Sequence, residues 1–393
     1  MFRKNKKRQP LKKTTEYTEA DLKIDTAFCG RIEKIMNALQ GRIGLNIKVH
    51  AQDDIMQKGQ IFLFNHFARF ETIIPPYVIQ RETGIYSRSV AHHSLFAGEK
   101  LSSVMRRVGC VPSNLPGLLP YLAAEILRGK KVMIFPEGGM VKDRRVIDDK
   151  GDYNIFSPSA RARRKHHRGA AALALTLELF KKRIRSLYED GDHERLERWR
   201  LALKIPSVEA LLEQAKKPTF VVPSTITFFP VRIDDSVLSR FAERVNSKMP
   251  AQALEELAIE GNLLFKNTDM DIRMNKPIVP NMKWHFWEKL LLKQYFEEID
   301  SLDDFFGLRE KGETWTEKLL AKVIARETDR LRDSYMKAIY TGLTVNLTHL
   351  ASVLMTELLD RDVRHITFSD FHRTLYLTVK ACLLYTSPSP RDA

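Results

Sequence analysis

Apolar and polar positions follow two patterns along this chain, and the change between them predicts its architecture. From about residue 45 to residue 280, short apolar runs typical of buried strands alternate with longer stretches of helical periodicity. This alternation predicts an α/β fold with a mostly parallel central sheet flanked by helices. The predicted strands are 61–64, 85–91, 108–111, 132–135, 220–222, 226–231 and 270–274, and the predicted helices are 72–80, 95–107, 118–128 and 169–188.

The same patterning predicts different structure on either side of this domain. Residues 1–44 read as a basic arm followed by an amphipathic helix. Residues 281–385 carry long helical periodicities, so we predict a C-terminal helical region, with Thr367 and Asp370 in a capping-box start of its last helix. Residues 386–393 interrupt an apolar helical pattern with Ser-Pro repeats, and we expect them to be a non-native tail.

Charge and cysteine content narrow the range of possible binding partners and cellular compartments. The chain has 64 Lys and Arg against 49 Asp and Glu, a net charge of +15, with basic clusters at 3–13 and 161–168. Such an excess favours an anionic partner: a phospholipid surface, coenzyme A phosphates, an acidic carrier protein or nucleic acid. Three widely spaced cysteines indicate reduced thiols. With no apolar run long enough to cross a bilayer and no signal peptide, we expect a cytoplasmic protein, which for a lipid substrate would be peripheral on the inner face of a membrane.

Asn65 and His66 directly follow the apolar run 61–64, and Glu71 comes five positions after His66. Five residues on one helix differ by about 140° beyond a full turn, so His66 must lie in the strand-to-helix turn to meet Glu71. A carboxylate bound to one ring nitrogen fixes the histidine tautomer, and the other nitrogen can then accept a proton from an alcohol. The pattern predicts a base and its orienting acid, whereas an isolated His-x4-Glu is more often a capping histidine and a solvated acid.

A second apolar strand, 132–135, runs into Pro136, Glu137 and Gly138. Asn-His-x4-acid followed by Phe-Pro-Glu-Gly, each after its own strand, resembles the glycerolipid acyltransferase family over about residues 45–280. Because two segments that lie close together in that family are separated here, we interpret about 180–216 as an inserted helical hairpin.

The resemblance implies acyl transfer from an acyl thioester, on coenzyme A or acyl carrier protein, to a hydroxyl of glycerol 3-phosphate or lysophosphatidic acid. His66 would be the general base and Glu71 its orienting acid, while Asn65, Glu137 and Gly138 would help to bind substrate. No metal or redox cofactor is expected, because a thioester is already activated. The expected partners are therefore the thioester carrier and an anionic membrane surface.

The chain departs from the family where phosphate-binding arginines usually lie. Gly139 and Met140 replace the usual Thr-Arg pair, and the stretch 108–114 lacks the usual arginine. Nearby cations could substitute, or could simply be surface charge: Lys142, Arg144, Arg145, and Arg168 before the helix start at 169. The alternative is a non-catalytic membrane-surface or nucleic-acid-binding protein that uses the basic clusters. The chain has no nucleic-acid-binding signature, so no nucleic acid is expected.

Overall fold

A computed structural model describes most of the chain, apart from its ends and several internal segments. The described residues are 22–43, 46–52, 54–66, 74–96, 98–138, 146–147, 153–157, 162–229, 269–281, 299–311 and 315–386, together with Phe286, Glu288, Leu290 and Tyr295. Glu71, Lys142, Arg144, Arg145 and the basic arm lie outside them.

Seven of the nine described strands form one sheet in the order β1-β9-β8-β2-β5-β3-β4. Every neighbouring pair in it is parallel except β8 and β9, so the predicted mostly parallel sheet is confirmed. A separate antiparallel hairpin is formed by β6 and β7. The strands are β1 Asn46–His50, β2 Ile61–Phe64, β3 Ser87–Ala91, β4 Cys110–Pro112, β5 Lys131–Ile134, β6 Asn154–Ser157, β7 Ala162–Lys165, β8 Val221–Phe229 and β9 Asp269–Met274.

Strand β2 lies at the centre of the sheet, between β8 and β5, and all four of its side chains are buried. Ile61 and Leu63 join the larger hydrophobic core on one face of the sheet. Phe62 and Phe64 join the smaller core on the other face. Successive strand residues point to opposite faces, so a continuous apolar run is what a strand covered on both sides requires.

Helices cover both faces of the sheet. They are α1 Thr26–Ile43, α2 Ile55–Lys58, α3 Ile74–Thr83, α4 Glu99–Arg107, α5 Leu118–Leu127, α6 Gly169–Glu189, α7 His193–Ala202, α8 Val208–Lys216, α9 Leu302–Lys311, α10 Trp315–Thr341, α11 Leu347–Asp360 and α12 Phe368–Thr386, with a 3-10 turn at His93–Phe96. Helices α5, α6 and α10 contribute to the larger core, and α3 contributes to the smaller one. Because α10 packs against both β8 and α6, part of the C-terminal helical region shares the core of the α/β domain.

Several elements of the structure differ from the predicted ones. The predicted strands 220–222 and 226–231 are joined in the single strand β8, which passes through Pro223. Proline lacks an N–H, and here only its carbonyl is used, accepting a 2.9 Å hydrogen bond from the Asn275 amide. Strand β1 was not predicted, because its alternating polar residues lie on a half-exposed edge. The basic run 161–168 contains β7, which was not predicted either.

The last helix begins at the predicted position, and Thr367 makes the first of the two bonds of the predicted capping box. The Asp370 amide donates to the Thr367 hydroxyl at 3.1 Å, and that hydroxyl donates to the Asp370 carboxylate at 2.6 Å. Within the described part of the chain, no helix is both long and apolar enough to cross a membrane.

Candidate active site

Residues that follow four parallel strands meet at the carboxyl edge of the sheet. His66 follows β2, His92 follows β3, Ser113 follows β4 and Phe135 follows β5. All four line one cavity of about 500 Å³. In open α/β sheets this edge is where ligands bind, and the volume lies within the usual range of ligand sites.

Asn65 fixes the segment that carries His66. Its side-chain amide donates to the carbonyl of Ile226 at 3.0 Å, and its side-chain oxygen accepts from the Ile226 amide at 2.7 Å. The ladder between β2 and β8 ends at Phe64 and Ser224, so the Asn65 side chain continues the pairing one step beyond the strand. An asparagine can supply both donor and acceptor at once, which explains the residue type.

Glu137 joins the second motif to the first. One of its carboxylate oxygens, Oε2, accepts a 2.8 Å hydrogen bond from the backbone amide of His66. The other, Oε1, accepts a 2.7 Å hydrogen bond from the hydroxyl of Tyr340 in α10. Glu137 is only 1 % exposed, and a buried carboxylate needs such donors to replace water. Its contacts thus point to a positioning role for the backbone of His66.

The ring of His66 lies beside Phe135, with 4.8 Å between the ring centroids. Beyond Phe135 the chain turns at Gly138, whose φ is +72°, a conformation that favours glycine. A Cβ at Gly138 would clash with the ring of His167, so this turn and His167 pack closely. The His167 amide also donates to the carbonyl of Pro136 at 3.1 Å. The absence of a side chain at Gly138 therefore allows the segments after β5 and β7 to pack together.

The cavity is mainly apolar below a polar rim. Its apolar lining consists of Val90, Ala91, Leu95, Leu118, Leu119, Leu122, Ile134, Phe135 and Pro136. At the rim, burial and the neighbouring His93 lower the pKa of His92, which favours its neutral form. An apolar cavity beside histidines can hold a hydrocarbon chain next to a proton acceptor.

Helix α6 begins at the same cavity, since Gly169 and Ala170 line it. The residue before the helix, Arg168, binds Asp329 of α10 through two contacts, Nε to Oδ1 at 2.6 Å and Nη2 to Oδ2 at 2.7 Å. The start of a helix attracts anions through its unpaired amides and its dipole. Arg168 is therefore next in sequence to the cavity-lining Gly169, and its guanidinium is already bound to a carboxylate.

The structure brings together Asn65, His66, Glu137 and Gly138 of the predicted site residues, whereas Arg168 precedes the lining residue Gly169 and binds Asp329. The predicted residues Glu71, Lys142, Arg144 and Arg145 lie outside the described segments, so their positions stay predictions. No sequence pattern indicated Tyr340 and Asp329, which contact site residues from the distant helix α10. Among the described residues, no group of three or more His, Cys, Asp or Glu side chains could hold a metal ion.

A larger cavity, of about 720 Å³, lies at the opposite edge, where β2, β5 and β8 begin. Lys131 lines it, and its ammonium donates to the carbonyls of Met56, Gln57 and Gly59 at 2.7–2.8 Å. Burial, aided by nearby Lys217, lowers the pKa of Lys131 to about 8. Because none of the motif residues that the structure describes borders this cavity, we place the candidate site at the carboxyl edge.

Both motifs lie in a segment of the chain that matches a known protein family. Residues 46–183 match the family model described as Acyltransferase, a span that contains both motifs. A solved structure of the 1-acyl-sn-glycerophosphate acyltransferase PlsC from Thermotoga maritima is 14 % identical in sequence. The alignment covers 74 % of this chain and 83 % of that one, with a TM-score of 0.31. No curated protein matches the chain.

Proposed function

Since residues 46–183 match the family model described as Acyltransferase, we propose that this chain transfers an acyl group from a thioester to a hydroxyl in phospholipid biosynthesis. The proposed donor is acyl-CoA or acyl carrier protein. The proposed acceptor is glycerol 3-phosphate or its 1-acyl ester, lysophosphatidic acid.

The observation that carries this proposal is the position of His66 in the apolar cavity. His66 lines a space whose other walls are largely aliphatic side chains and Phe135. A fatty acyl chain in that space would gain about 25 cal/mol for each Å² of apolar surface removed from water. The thioester carbonyl would then lie near the imidazole, where proton transfer is needed.

The chemistry requires one base and no additional oxidant or reductant. The imidazole of His66 would take the proton of the acceptor hydroxyl, and the hydroxyl oxygen would attack the thioester carbonyl carbon. Collapse of the tetrahedral intermediate would break the carbon–sulfur bond, and the imidazolium would return the proton to the departing thiolate. We propose that Glu71 orients His66 and stabilises the imidazolium, as the acid of a catalytic triad does.

We propose that the acceptor phosphate binds beside the start of α6. Gly169 and Ala170 line the cavity there, and Arg168 precedes them. Lys142, Arg144 and Arg145 complete the proposed anion site. A phosphate near Arg168 would compete with Asp329 for the guanidinium, which would couple acceptor binding to α10.

The test is to incubate the purified protein with palmitoyl-CoA, or palmitoyl acyl carrier protein, and a panel of acceptors. The panel contains glycerol 3-phosphate, lysophosphatidic acid, an uncharged monoacylglycerol and an amine-bearing lysophospholipid. We expect thiol release with the two phosphorylated glycerols, and no release from the His66→Ala variant. Preference for the uncharged or amine-bearing acceptor would overturn the acceptor assignment, and no transfer at all would overturn the proposed function.

Arg168→Gln tests the anion site within the same assay. It should raise the KM for the phosphorylated acceptor far more than the KM for the acyl donor. Arg364→Gln is a matched control, because Arg364 also binds an aspartate, Asp362 at 3.0 Å, but lies in the turn between α11 and α12. Equal kinetics in the two variants would exclude Arg168 from acceptor binding.

We further propose that the basic residues hold the protein on an anionic membrane surface, where its lipid substrates are found. Such binding is electrostatic and weakens as salt screens the charges. The protein should therefore sediment with anionic vesicles at low salt and dissociate as salt rises. Deletion of residues 1–13 should weaken the binding. Vesicle binding that changes with neither the salt concentration nor this deletion would contradict the proposal.

A further inference from the structure

Helix α10 lies outside residues 46–183, yet its C-terminal half contacts residues around the candidate active site. Asp329 binds Arg168, the Tyr335 hydroxyl donates to the His167 carbonyl at 3.1 Å, and Tyr340 donates to Glu137. Asp329 and Tyr340 are eleven positions apart, about three full turns, so they share one face of the helix.

The contacts of Tyr340 continue to the backbone of His66. Its hydroxyl donates to Oε1 of Glu137 at 2.7 Å, and Oε2 of the same carboxylate accepts from the His66 amide at 2.8 Å. The hydroxyl also lies 3.0 Å from Nε2 of His166. A hydroxyl has one proton, so when it donates to Glu137, His166 must be the donor in the second contact. Four residues thus form one chain of hydrogen bonds from His166 to His66.

The Tyr340 ring is itself held in place. It stacks on Tyr153 with 5.5 Å between ring centroids and 10° between ring planes, and Tyr153 is next to β6. A stacked ring has few alternative positions, so its hydroxyl is presented to Glu137 in a fixed direction. Glu137 is buried, and removal of one donor would leave part of its charge poorly compensated.

We infer that Tyr340 is a positioning residue, which orients His66 through the carboxylate of Glu137. This inference rests on the proposed function, in which His66 is the base. Small displacements of a base lower the rate of the chemical step more than they weaken substrate binding, because only the chemical step requires the reacting atoms to be aligned. Tyr340 therefore makes α10, from the C-terminal helical region, part of the machinery that aligns the motif histidine.

The experiment is Tyr340→Phe, which removes the hydroxyl and keeps the stacked ring. Tyr335→Phe is the matched control, because it removes another hydroxyl of α10 that does not contact Glu137. We expect Tyr340→Phe to lower kcat about tenfold, with the KM of donor and acceptor changed less than twofold, and Tyr335→Phe to change kcat much less. A purely structural role would reduce the amount of folded protein without changing kcat per folded molecule.

A second measurement does not depend on activity. The chain has 11 histidines, so selective ¹⁵N-histidine labelling gives few amide signals, and His66→Gln identifies that of His66. We expect the amide proton signal of His66 to change its chemical shift in Tyr340→Phe and to keep it in Tyr335→Phe, because only the first variant removes a donor from the carboxylate that accepts the His66 bond. An unmoved signal, or wild-type kcat in Tyr340→Phe, would overturn the inference. An inactive wild type with a shifted signal would instead overturn the proposed function alone.

Discussion

The backbone amide of His66 donates a 2.8 Å hydrogen bond to the carboxylate of Glu137, a residue 71 positions away along the chain. The bond joins the two motifs that the sequence placed after separate strands. Strands β2 and β5 are direct parallel neighbours, so their carboxyl ends carry these residues to the same point. The relationship gives Glu137 a physical role that spacing alone could not indicate.

Glu137→Gln should reduce activity by about tenfold or more, because one amide oxygen cannot replace two carboxylate oxygens. The glutamine would accept from either the His66 amide or Tyr340, and its NH₂ group would face the remaining donor. Steady-state kinetics and a thermal unfolding curve check the prediction. Unchanged kcat in a stably folded variant would show that the carboxylate does not position His66.

Gly138→Ala should destabilise the protein more than Gly84→Ala does. Both glycines have positive φ, +72° and +70°, so each alanine incurs a similar backbone strain of about 1–2 kcal/mol. Only at Gly138 would the new Cβ meet the His167 ring, whereas Gly84 has open space around it. Overpacking typically adds about 1–3 kcal/mol. Urea unfolding of both variants checks this prediction. Equal losses in the free energy of unfolding would mean that the His167 ring moves aside and that no overpacking occurs at Gly138.

Asn65→Asp should lower the free energy of unfolding by about 1–3 kcal/mol, although the two side chains have the same shape. The carboxylate can still accept from the Ile226 amide, but it cannot donate to the Ile226 carbonyl, and two oxygens would face each other. We also expect a fall in kcat, because Asn65 precedes the proposed base. A variant as stable as the wild type would contradict the proposed anchoring.

Lys181 should make stability rise with pH above neutrality. Its side chain is fully buried in α6, and burial, the main cause, lowers its pKa from 10.5 to about 7. Below about pH 7 the ammonium of Lys181 is charged in both the folded and the unfolded state, so the full cost of burying the charge opposes folding. Between about pH 7 and 10.5 the unfolded state holds more protons than the folded state, so the free energy of unfolding rises by up to about 1.4 kcal/mol per pH unit.

Lys181→Met removes this dependence. The stability of the wild type relative to Lys181→Met should therefore increase by about 2 kcal/mol between pH 7 and pH 9. Lys182→Met is the control, because it removes an exposed lysine from the same helix. A stability difference that stays constant over this pH range would contradict the lowered pKa.

The sequence predicted those features that depend on local pattern. A four-residue apolar run followed by Asn-His predicted the strand β2 and the turn at its end, because a strand buried on both faces requires a continuous hydrophobic run. Tyr340 and Asp329 could not be predicted, because their contacts join segments more than 160 positions apart and no spacing rule covers them. Strand β7 was missed since its residues, Ala162–Lys165, are mostly basic and lack an apolar alternation.

The most direct test of the account is acyl transfer by wild type and His66→Ala, with palmitoyl-CoA and lysophosphatidic acid both at saturation. His66 is the proposed base, and its ring lines the apolar cavity. General-base catalysis typically contributes about 10²–10⁴-fold, so we predict that kcat falls at least a hundredfold. Thermal unfolding and acyl-CoA binding should stay close to those of the wild type. Full transfer activity in a folded His66→Ala variant would contradict the account.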